Sequence, residues 1–571
     1  MQNKNYQPFL ESLDELGFAT FKVFDDAEMA ALKELYHHHF AKREMVELYA
    51  SHNSNPIEKS FAINNSIREI VESKLQSVFP NYDYFIGHFM VKGANTEKEF
   101  SLHQDWNIVD ESKYKSYQIW IPLQLSYPTN GGIFVVPGSH RFFNNYRSGS
   151  YNIPMMSMDD QLKKVCTDVI VPSGNILVYH NSLFHGSYPN NTNEDRVVVL
   201  ANIVQRHAPT YYFHKNPAMN RTELYLLSGT DLIRHLPQLE KGIIEGGLTI
   251  KKTEPIMPID NSAITSAEVV AKYHEHYGDK SARQLKQLHI TTHPQLEEEL
   301  NHTGYAIIDL LNEEEVETFK TEYKLHFGHI DRTPGRFTTL QDAGKDYKKK
   351  IHAFIVKQLE VPLGKYFKDY IIPVSQFYTK KAFTSGDIDL HADSTLLLNH
   401  QLEPHYAVWV PLIEVNKDNG TLTVVPFSHR VTQALFASSL GGYHHEHMDW
   451  LRQFEIPLHL KPGQAVIFDN NLLHNSTANK SSFDRLVFTF RITHYASQYY
   501  SFFCKNPKQN TAVEVSEESH CYYMDDNWDG NATQVTGTHI GTYLNGITRV
   551  TKQELQSLLS RQTEDIHNTV L

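Results

Sequence analysis

Cysteine is nearly missing from this chain: three occur in 571 residues (Cys166, Cys504 and Cys521), and none stands in a C-x-x-C spacing. That excludes a disulfide framework and a cysteine-built structural zinc site, and it suits a reducing compartment. Long apolar runs are missing as well. No stretch of about 18 apolar residues occurs, and the opening MQNKNYQPFLESLDELGF has no apolar core of signal-peptide type. Neither a membrane span nor a leader is expected, and the expected location is cytoplasmic. Basic charge is in short supply: 53 Lys and Arg stand against 66 Asp and Glu, a net charge of −13 with no basic cluster. A nucleic-acid or anionic-membrane partner, which needs a basic footprint, is therefore not expected. The chain is also too long for one core, at the usual domain size of roughly 100 to 200 residues.

What the chain does have is itself, twice. "NGGIFVVPGSHR" (130–141) returns as "NGTLTVVPFSHR" (419–430), and "HGSYPNNTNEDR" (185–196) as "HNSTANKSSFDR" (474–485), both 289 positions on. "MVKGANTEKEFSLHQD" (90–105) is echoed by "YTKKAFTSGDIDLHAD" (378–393) at 288. A helix recurs too: Asp25-Asp26 can cap one carrying Met29, Leu32, Tyr36 and Phe40, and Asn312 precedes Val316, Phe319, Tyr323 and Phe327 at the same spacing. Two units of this size are a tandem duplication and not a solenoid. Within each, alternating strands ("YQIWIPLQL", "IFVVP"), an Asn-Gly hairpin signal (Asn130-Gly131, Asn419-Gly420) and Pro-Gly turns follow an N-terminal helical layer. The expected fold is mostly β with flanking helices, two tandem jelly rolls whose open mouths hold a ligand. The expected boundaries are 1–250 and 293–571, with 251–292 a linker containing one helix and having no counterpart in the repeat.

The duplication turns a weak motif into a strong one. His103-Gln104-Asp105 alone is common in a chain with 33 histidines, but His391-Ala392-Asp393 repeats the outer pair while the middle residue changes. In a strand, residues i and i+2 share a face, so each pair can grip one ion. His185 and His474 supply a third ligand. Two imidazoles and one carboxylate form the facial set that leaves positions open on non-haem Fe(II). Arg196 and Arg485 follow the third ligand by eleven residues; a guanidinium matches a carboxylate in two-pronged fashion and can clamp the far end of a dicarboxylate that chelates the metal. Ser187 and Ser476 can add a hydroxyl on the same face.

This arrangement, H-x-D, Trp120 or Trp409, an Asn-Gly-x-x-x-Val-Pro-x-Ser-His segment, H-x-S and the arginine, resembles the phytanoyl-CoA dioxygenase family of 2-oxoglutarate-dependent oxygenases over most of each half. The resemblance implies a double-stranded β-helix, with iron on His103, Asp105 and His185 and a second on His391, Asp393 and His474. It implies that Arg196 with Ser187, and Arg485 with Ser476, bind the C5 carboxylate of 2-oxoglutarate, with Trp120, Trp409, Lys92 and Lys380 nearby. Fe(II), 2-oxoglutarate and O2 would be the cofactors, with ascorbate as a helper. The expected outcome is hydroxylation of a C–H bond in a small molecule or biosynthetic intermediate, free or carrier-bound; desaturation and ring formation use the same site. Halogenation is not expected, since halogenases resembling this family have a small residue where Asp105 and Asp393 stand.

Competing readings are a divalent-metal hydrolase, which has no need of the arginine, and a chain in which one half only binds or dimerises, which predicts a lost ligand. Neither half has lost one. The repeated His140 and His429 sit in a turn and read as loop-fixing, and the unshared "YHHHF" (36–40) and "YHHEHMD" (443–449) read as solvated faces. The sharpest contrast between halves lies at "WNIVDESKYKSYQIW" against "STLLLNHQLEPHYAVW", where Leu396, Leu397 and Leu398 suggest a more apolar second pocket, and in the lid segments 142–160 and 431–449.

Overall fold

Each half opens with the helical layer its apolar spacing predicts. Asp25 caps helix Asp26–Phe40 by a reciprocal box, Glu28 N–H donating to Asp25 Oδ1 at 3.0 Å and Asp25 N–H to Glu28 Oε2 at 2.8 Å. Asn312 and Glu315 repeat it at 2.9 and 2.8 Å before helix Glu313–Phe327. A longer helix follows in each half. Ile57–Val78 buries Ile63, Ile67, Val71 and Leu75, and Lys345–Gly364 buries Ile351, Ile355, Leu359 and Leu363, stripes at i, i+4 that face a sheet.

The computed structural model describes residues 6–40, 47–52, 54–151, 153–244, 252–258, 264–278, 280–327, 335–384, 388–430, 448–503, 512–518 and 537–544. The chain divides into two units, Met1–Gln287 and Leu288–Leu571. In the first, a six-stranded antiparallel sheet runs Phe18–Lys22, Asn175–His180, Ser116–Pro122, Arg196–Gln205, Tyr82–Lys92, Leu48–Ala50. A four-stranded sheet runs Phe100–His103, His185–Ser187, Ile133–Val135, Thr167–Val169. The second unit repeats both orders: Tyr305–Asp309, Gln464–Asp469, His405–Pro411, Arg485–His494, Ser375–Lys380, Arg336–Thr338, and Ile388–His391, His474–Ser476, Leu422–Val424, Ile456–Pro457. These are two double-stranded β-helices in tandem. The central strand Arg196–Gln205 is buried along nine of its ten residues, because helices cover one face and the barrel interior takes the other.

Two expectations change here. The Asn-Gly signal does not close a hairpin: Ser116–Pro122 and Ile133–Val135 lie in different sheets, and so do His405–Pro411 and Leu422–Val424. Asn130-Gly131 and Asn419-Gly420 turn the corner between sheets, with Gly131 and Gly420 at φ 84° and 85°. A turn that reverses the chain reads alike in sequence whichever sheet receives it. Nor is 251–292 without a counterpart. Lys252–Pro258 is the third strand of a sheet with Tyr211–Asn216 and Arg221–Leu226, matched in the second unit by Tyr499–Phe503, Ala512–Glu518 and Thr538–Leu544. Backbone pairing needs no repeated side chains, which hid the likeness. The segment's helix, Ser266–Tyr277, is capped by a Thr265–Glu268 box and buries Val269 and Tyr273. Among the described residues, no helix is long and apolar enough to cross a membrane.

Candidate active sites

Register places the metal-ligand candidates together. His103 stands directly opposite His185, and His391 opposite His474, at the ends of the short strands of the smaller sheets. Asp105 and Asp393 come two residues on. Asp105 Oδ1 lies 3.9 Å from His103 Nε2 and 3.8 Å from His185 Nε2. Asp393 Oδ1 lies 3.9 Å from His391 Nε2, and its Oδ2 3.8 Å from His474 Nε2. Within each cluster the candidate ligand atoms all fall within 4.8 Å of one another. An ion about 2.0–2.2 Å from each ligand bridges such gaps.

The tautomers are set for it. Nδ1 of His103, His185, His391 and His474 meets the carbonyl oxygen two residues back (Ser101, Leu183, Asp389, Leu472) at 2.7, 3.0, 2.7 and 2.9 Å, so Nδ1 carries the proton and Nε2 keeps its lone pair. Burial pushes His103, His185 and His474 down to about 4, keeping them neutral and ready to ligate at pH 7. Asn181 and Asn470, repeated at 289, fix the loop that carries the carboxylate. Their carbonyls accept from Asp105 N–H at 2.9 Å and Asp393 N–H at 3.2 Å, and their side-chain amides donate to Trp106 O and Asp393 O at 3.2 Å.

Behind each cluster lies a buried arginine. Arg196 is 1 % exposed and Arg485 0 %, and in neither does Nε or a terminal nitrogen have a hydrogen-bond partner. Among the described residues their support is aromatic: Arg196 lies 4.7 Å over Trp120, and Arg485 5.4 Å over Trp409 and 5.0 Å over Tyr378. Burial lowers them only to about 9 and about 10, so both stay charged at pH 7. A buried cation with no acceptor is costly, and an anionic ligand removes the cost. The donor set and the two orphaned guanidinium groups fit Fe(II) with a chelating dicarboxylate.

Lys92 and Lys380 stand behind the serines. Lys92 Nζ donates to Ser187 Oγ at 2.7 Å and to the carbonyls of Ser187 and Tyr188 at 3.2 and 2.5 Å. Lys380 repeats this with Ser476 Oγ at 2.9 Å and the carbonyls of Ser476 and Thr477 at 2.9 and 2.6 Å. With their donors used, both orient the serine hydroxyl. Burial and Arg196 push Lys92 down, while its three acceptors favour the charged form that donates to all of them. The corner glycines belong to this contact: a Cβ on Gly131 would come within 2.7 Å of Lys92 Cδ.

The two walls are not alike. In the first unit Tyr179 reaches His185 Nε2 through its hydroxyl at 3.3 Å; the matching residue in the second is Phe468. Gln118 and Asn202 face one another across neighbouring strands, Asn202 Nδ2 donating to Gln118 Oε1 at 3.0 Å. At the same register the second unit has Ala407 and Arg491. Arg491 reaches Asp393 Oδ2 at 2.9 Å. Burial raises Asp393, but Arg491 and the neighbouring histidines outweigh it and hold the carboxyl down at about 2, whereas burial raises Asp105. Arg147, from the 142–160 segment, donates through Nε to Asp105 O at 2.6 Å and through a terminal nitrogen to Glu111 at 2.6 Å. The repeated asparagines could be found in the sequence; Tyr179, Gln118, Asn202 and Arg491 could not, because only register reveals what stands beside the candidate ligands and their loops.

The leucine contrast is smaller than expected. Tyr211 N–H donates to Ile108 O at 2.8 Å and Tyr500 N–H to Leu396 O at 2.9 Å, so Leu396 and Leu397 match the apolar Ile108 and Val109. A cavity of about 350 Å³ in the second unit is lined by His391, Asp393, Leu396, Trp409, His474 and Arg485 among others. His140 stacks on His180 and His429 meets Asn301 O, and neither is in a ligand cluster. "YHHHF" ends helix Asp26–Phe40 with His37 and His38 exposed. Residues 431–447, with most of "YHHEHMD" and of the second lid segment, lie outside the described residues, as do Cys504 and Cys521; Cys166 is buried and free.

The buried histidines carry a pH prediction. His52, His103, His185 and His474 are held at about 4 when folded, against about 6.5 unfolded. Their depressed values mean that stability is full above pH 6.5 and is lost as pH falls toward 4. The thermal midpoint of the metal-free protein should therefore drop steadily from pH 7 to pH 5. A midpoint flat over that interval would show these imidazoles to be solvated.

A double-stranded β-helix with two histidines and an aspartate at one end and a buried arginine behind them defines an oxygenase-type scaffold, here present twice. The chain belongs to the phytanoyl-CoA dioxygenase family, whose model matches residues 11–198 and 266–487. Phytanoyl-CoA dioxygenase domain-containing protein 1 of Danio rerio is 29% identical over 129 residues, 21% of this chain and 44% of the relative. The Dictyostelium discoideum homologue is 27% identical over 151 residues, 25% of this chain and 51% of the relative. The chain thus spans about half the length of the curated relatives it matches. Among solved structures, EvdO2 from Micromonospora carbonacea var. aurantiaca complexed with 2-oxoglutarate is similar at 16% identity and TM-score 0.26, covering 35% of this chain and 90% of that one. HygX from Streptomyces hygroscopicus with nickel and 2-oxoglutarate bound is similar at 14% and 0.27, covering 35% and 87%.

Proposed function

We propose that each half is an Fe(II)/2-oxoglutarate oxygenase site and that the chain hydroxylates unactivated C–H bonds of a small molecule or biosynthetic intermediate, free or carrier-bound. When bound, Fe(II) with 2-oxoglutarate and O2 supplies the oxidant, the cosubstrate leaving as succinate and CO2. His103, Asp105 and His185, and His391, Asp393 and His474, would hold the metal. Arg196 and Arg485 would pair with the C5 carboxylate of the cosubstrate, helped by Ser187 and Ser476, whose hydroxyls Lys92 and Lys380 orient. Trp120 and Trp409 cover the guanidinium face and keep water from it. Buried, partnerless Arg196 and Arg485 carry the reading, since a hydrolase gains nothing from such a cation and a binding module need not maintain one in both halves.

Anaerobic loading tests it. The protein should take up close to two Fe(II) per chain and, on admission of O2, release succinate slowly from 2-oxoglutarate without added substrate. Stoichiometric zinc with no succinate from the iron-loaded protein would sink it.

The unlike walls favour a second element of the reading: the halves take different substrates, or successive oxidation states of one. Tyr179 against Phe468, and Gln118 with Asn202 against Ala407 with Arg491, change which polar groups a substrate must satisfy beside the metal.

A further inference from the structure

Strand register sets Gln118 against Asn202 in the first unit and Ala407 against Arg491 in the second. The pairs are a compensated exchange. Shortening glutamine to alanine clears the space across the ladder that the longer arginine uses to reach Asp393. In the first unit Asn202 Nδ2 donates to Gln118 Oε1 at 3.0 Å and to Asn181 Oδ1 at 3.2 Å, while Asn202 Oδ1 is buried with no hydrogen-bond partner and is left to accept from a neutral donor. In the second, one terminal nitrogen of Arg491 holds Asp393 Oδ2 at 2.9 Å, while the other is buried with no hydrogen-bond partner. Arg491 also lines the cavity that contains His391, Asp393 and His474. The ligand triad, the rear arginine and the lysine–serine pair are matched between halves, so at this register the second site has a cation where the first has a neutral amide.

We infer that Arg491 is a specificity-determining residue of the second site, binding a carboxylate of the substrate beside the metal while the first site takes a neutral, amide-compatible group. This rests on reading the second site as an Fe(II)/2-oxoglutarate site. A guanidinium held by one prong on Asp393 is fixed in orientation, and its free prong offers a charge-assisted donor that a carboxylate satisfies and an amide or alcohol satisfies less well.

The test uses the full chain with His103→Ala, so that only the second site loads, under anaerobic Fe(II) and saturating 2-oxoglutarate. The readout is the visible charge-transfer band of the metal-bound cosubstrate, and the probes are straight-chain acids from acetate to decanoate, each against its primary amide. Acids should perturb the band at concentrations about tenfold or more below those of the amides, and in the chain that also carries Ala407→Gln with Arg491→Asn acids and amides should perturb it alike. The proposal is overturned if no probe perturbs the band, if acids and amides act alike, or if the preference survives the exchange. Should the double variant fail to form the band, the reciprocal exchange decides: Gln118→Ala with Asn202→Arg, in the His391→Ala chain, must confer the acid preference on the first site, and failure to do so overturns the proposal. A band absent from the His103→Ala chain itself would instead remove the underlying Fe(II)/2-oxoglutarate reading.

Discussion

Replacing His185 or His474 by alanine should leave one Fe(II) per chain where the unaltered protein is expected to take up two. Each candidate site has three protein ligands within 4.8 Å and, among the described residues, no fourth histidine, cysteine or carboxylate in its cluster to substitute for a lost one. Removing even a supporting partner of a metal ligand typically costs 10- to 100-fold in affinity or activity, so losing a ligand costs more than about 100-fold at that site. The other site, built from its own strands, keeps its ion. Product analysis then separates the halves: His103→Ala and His391→Ala should abolish different steps. If each merely halves the yield of one product, the halves are redundant copies, and the unlike walls have no consequence for substrate choice.

Replacing Arg485 by methionine should have two effects of opposite sign. The KM for 2-oxoglutarate at the second site should rise by at least about 100-fold, because a charge-assisted hydrogen bond is worth roughly 1.5–3 kcal/mol and a carboxylate on a guanidinium makes two. The ligand-free protein should become more stable. Arg485 is 0 % exposed with none of its guanidinium nitrogens hydrogen-bonded, and an unsatisfied buried donor costs on the order of 1–3 kcal/mol, only part of which the Trp409 and Tyr378 rings return. Methionine fills much of the same space without the charge. Thermal unfolding with and without 2-oxoglutarate, in the His103→Ala background, reads both: a higher midpoint for the free variant, and no further rise on adding the cosubstrate. A variant less stable than its parent when free would show that Arg485 is a structural residue with a partner not yet recognised.

Much of the candidate site was legible because it is local and duplicated. His103 with Asp105 is one strand end, His185 with Ser187 another, and eleven residues join His185 to Arg196; such spacings survive copying, so the second half checked the first. The helix caps at Asp25 and Asn312 were legible for the same reason, each being a box closed within three residues. The roles of Lys92 and Lys380 were only half legible. Their place before the first ligand is a sequence fact, but the carbonyls that occupy their ammonium groups come from a strand 95 to 97 residues away.

The amino-acid sequence by itself determined that there are two β-helical units, six ligand candidates and two arginines behind them, since chain-local spacing and a fixed offset carry that information. Tertiary structure alone decided what surrounds them. The Asn-Gly turns became corners between sheets, Lys252–Pro258 became a third strand, and the polarity contrast moved from Leu396 and its neighbours to Tyr179, Asn202, Phe468 and Arg491. The reason is that antiparallel register pairs residues some 84 positions apart, such as Asn202 with Gln118 and Arg491 with Ala407, and only the folded ladder specifies which side chains meet at the metal.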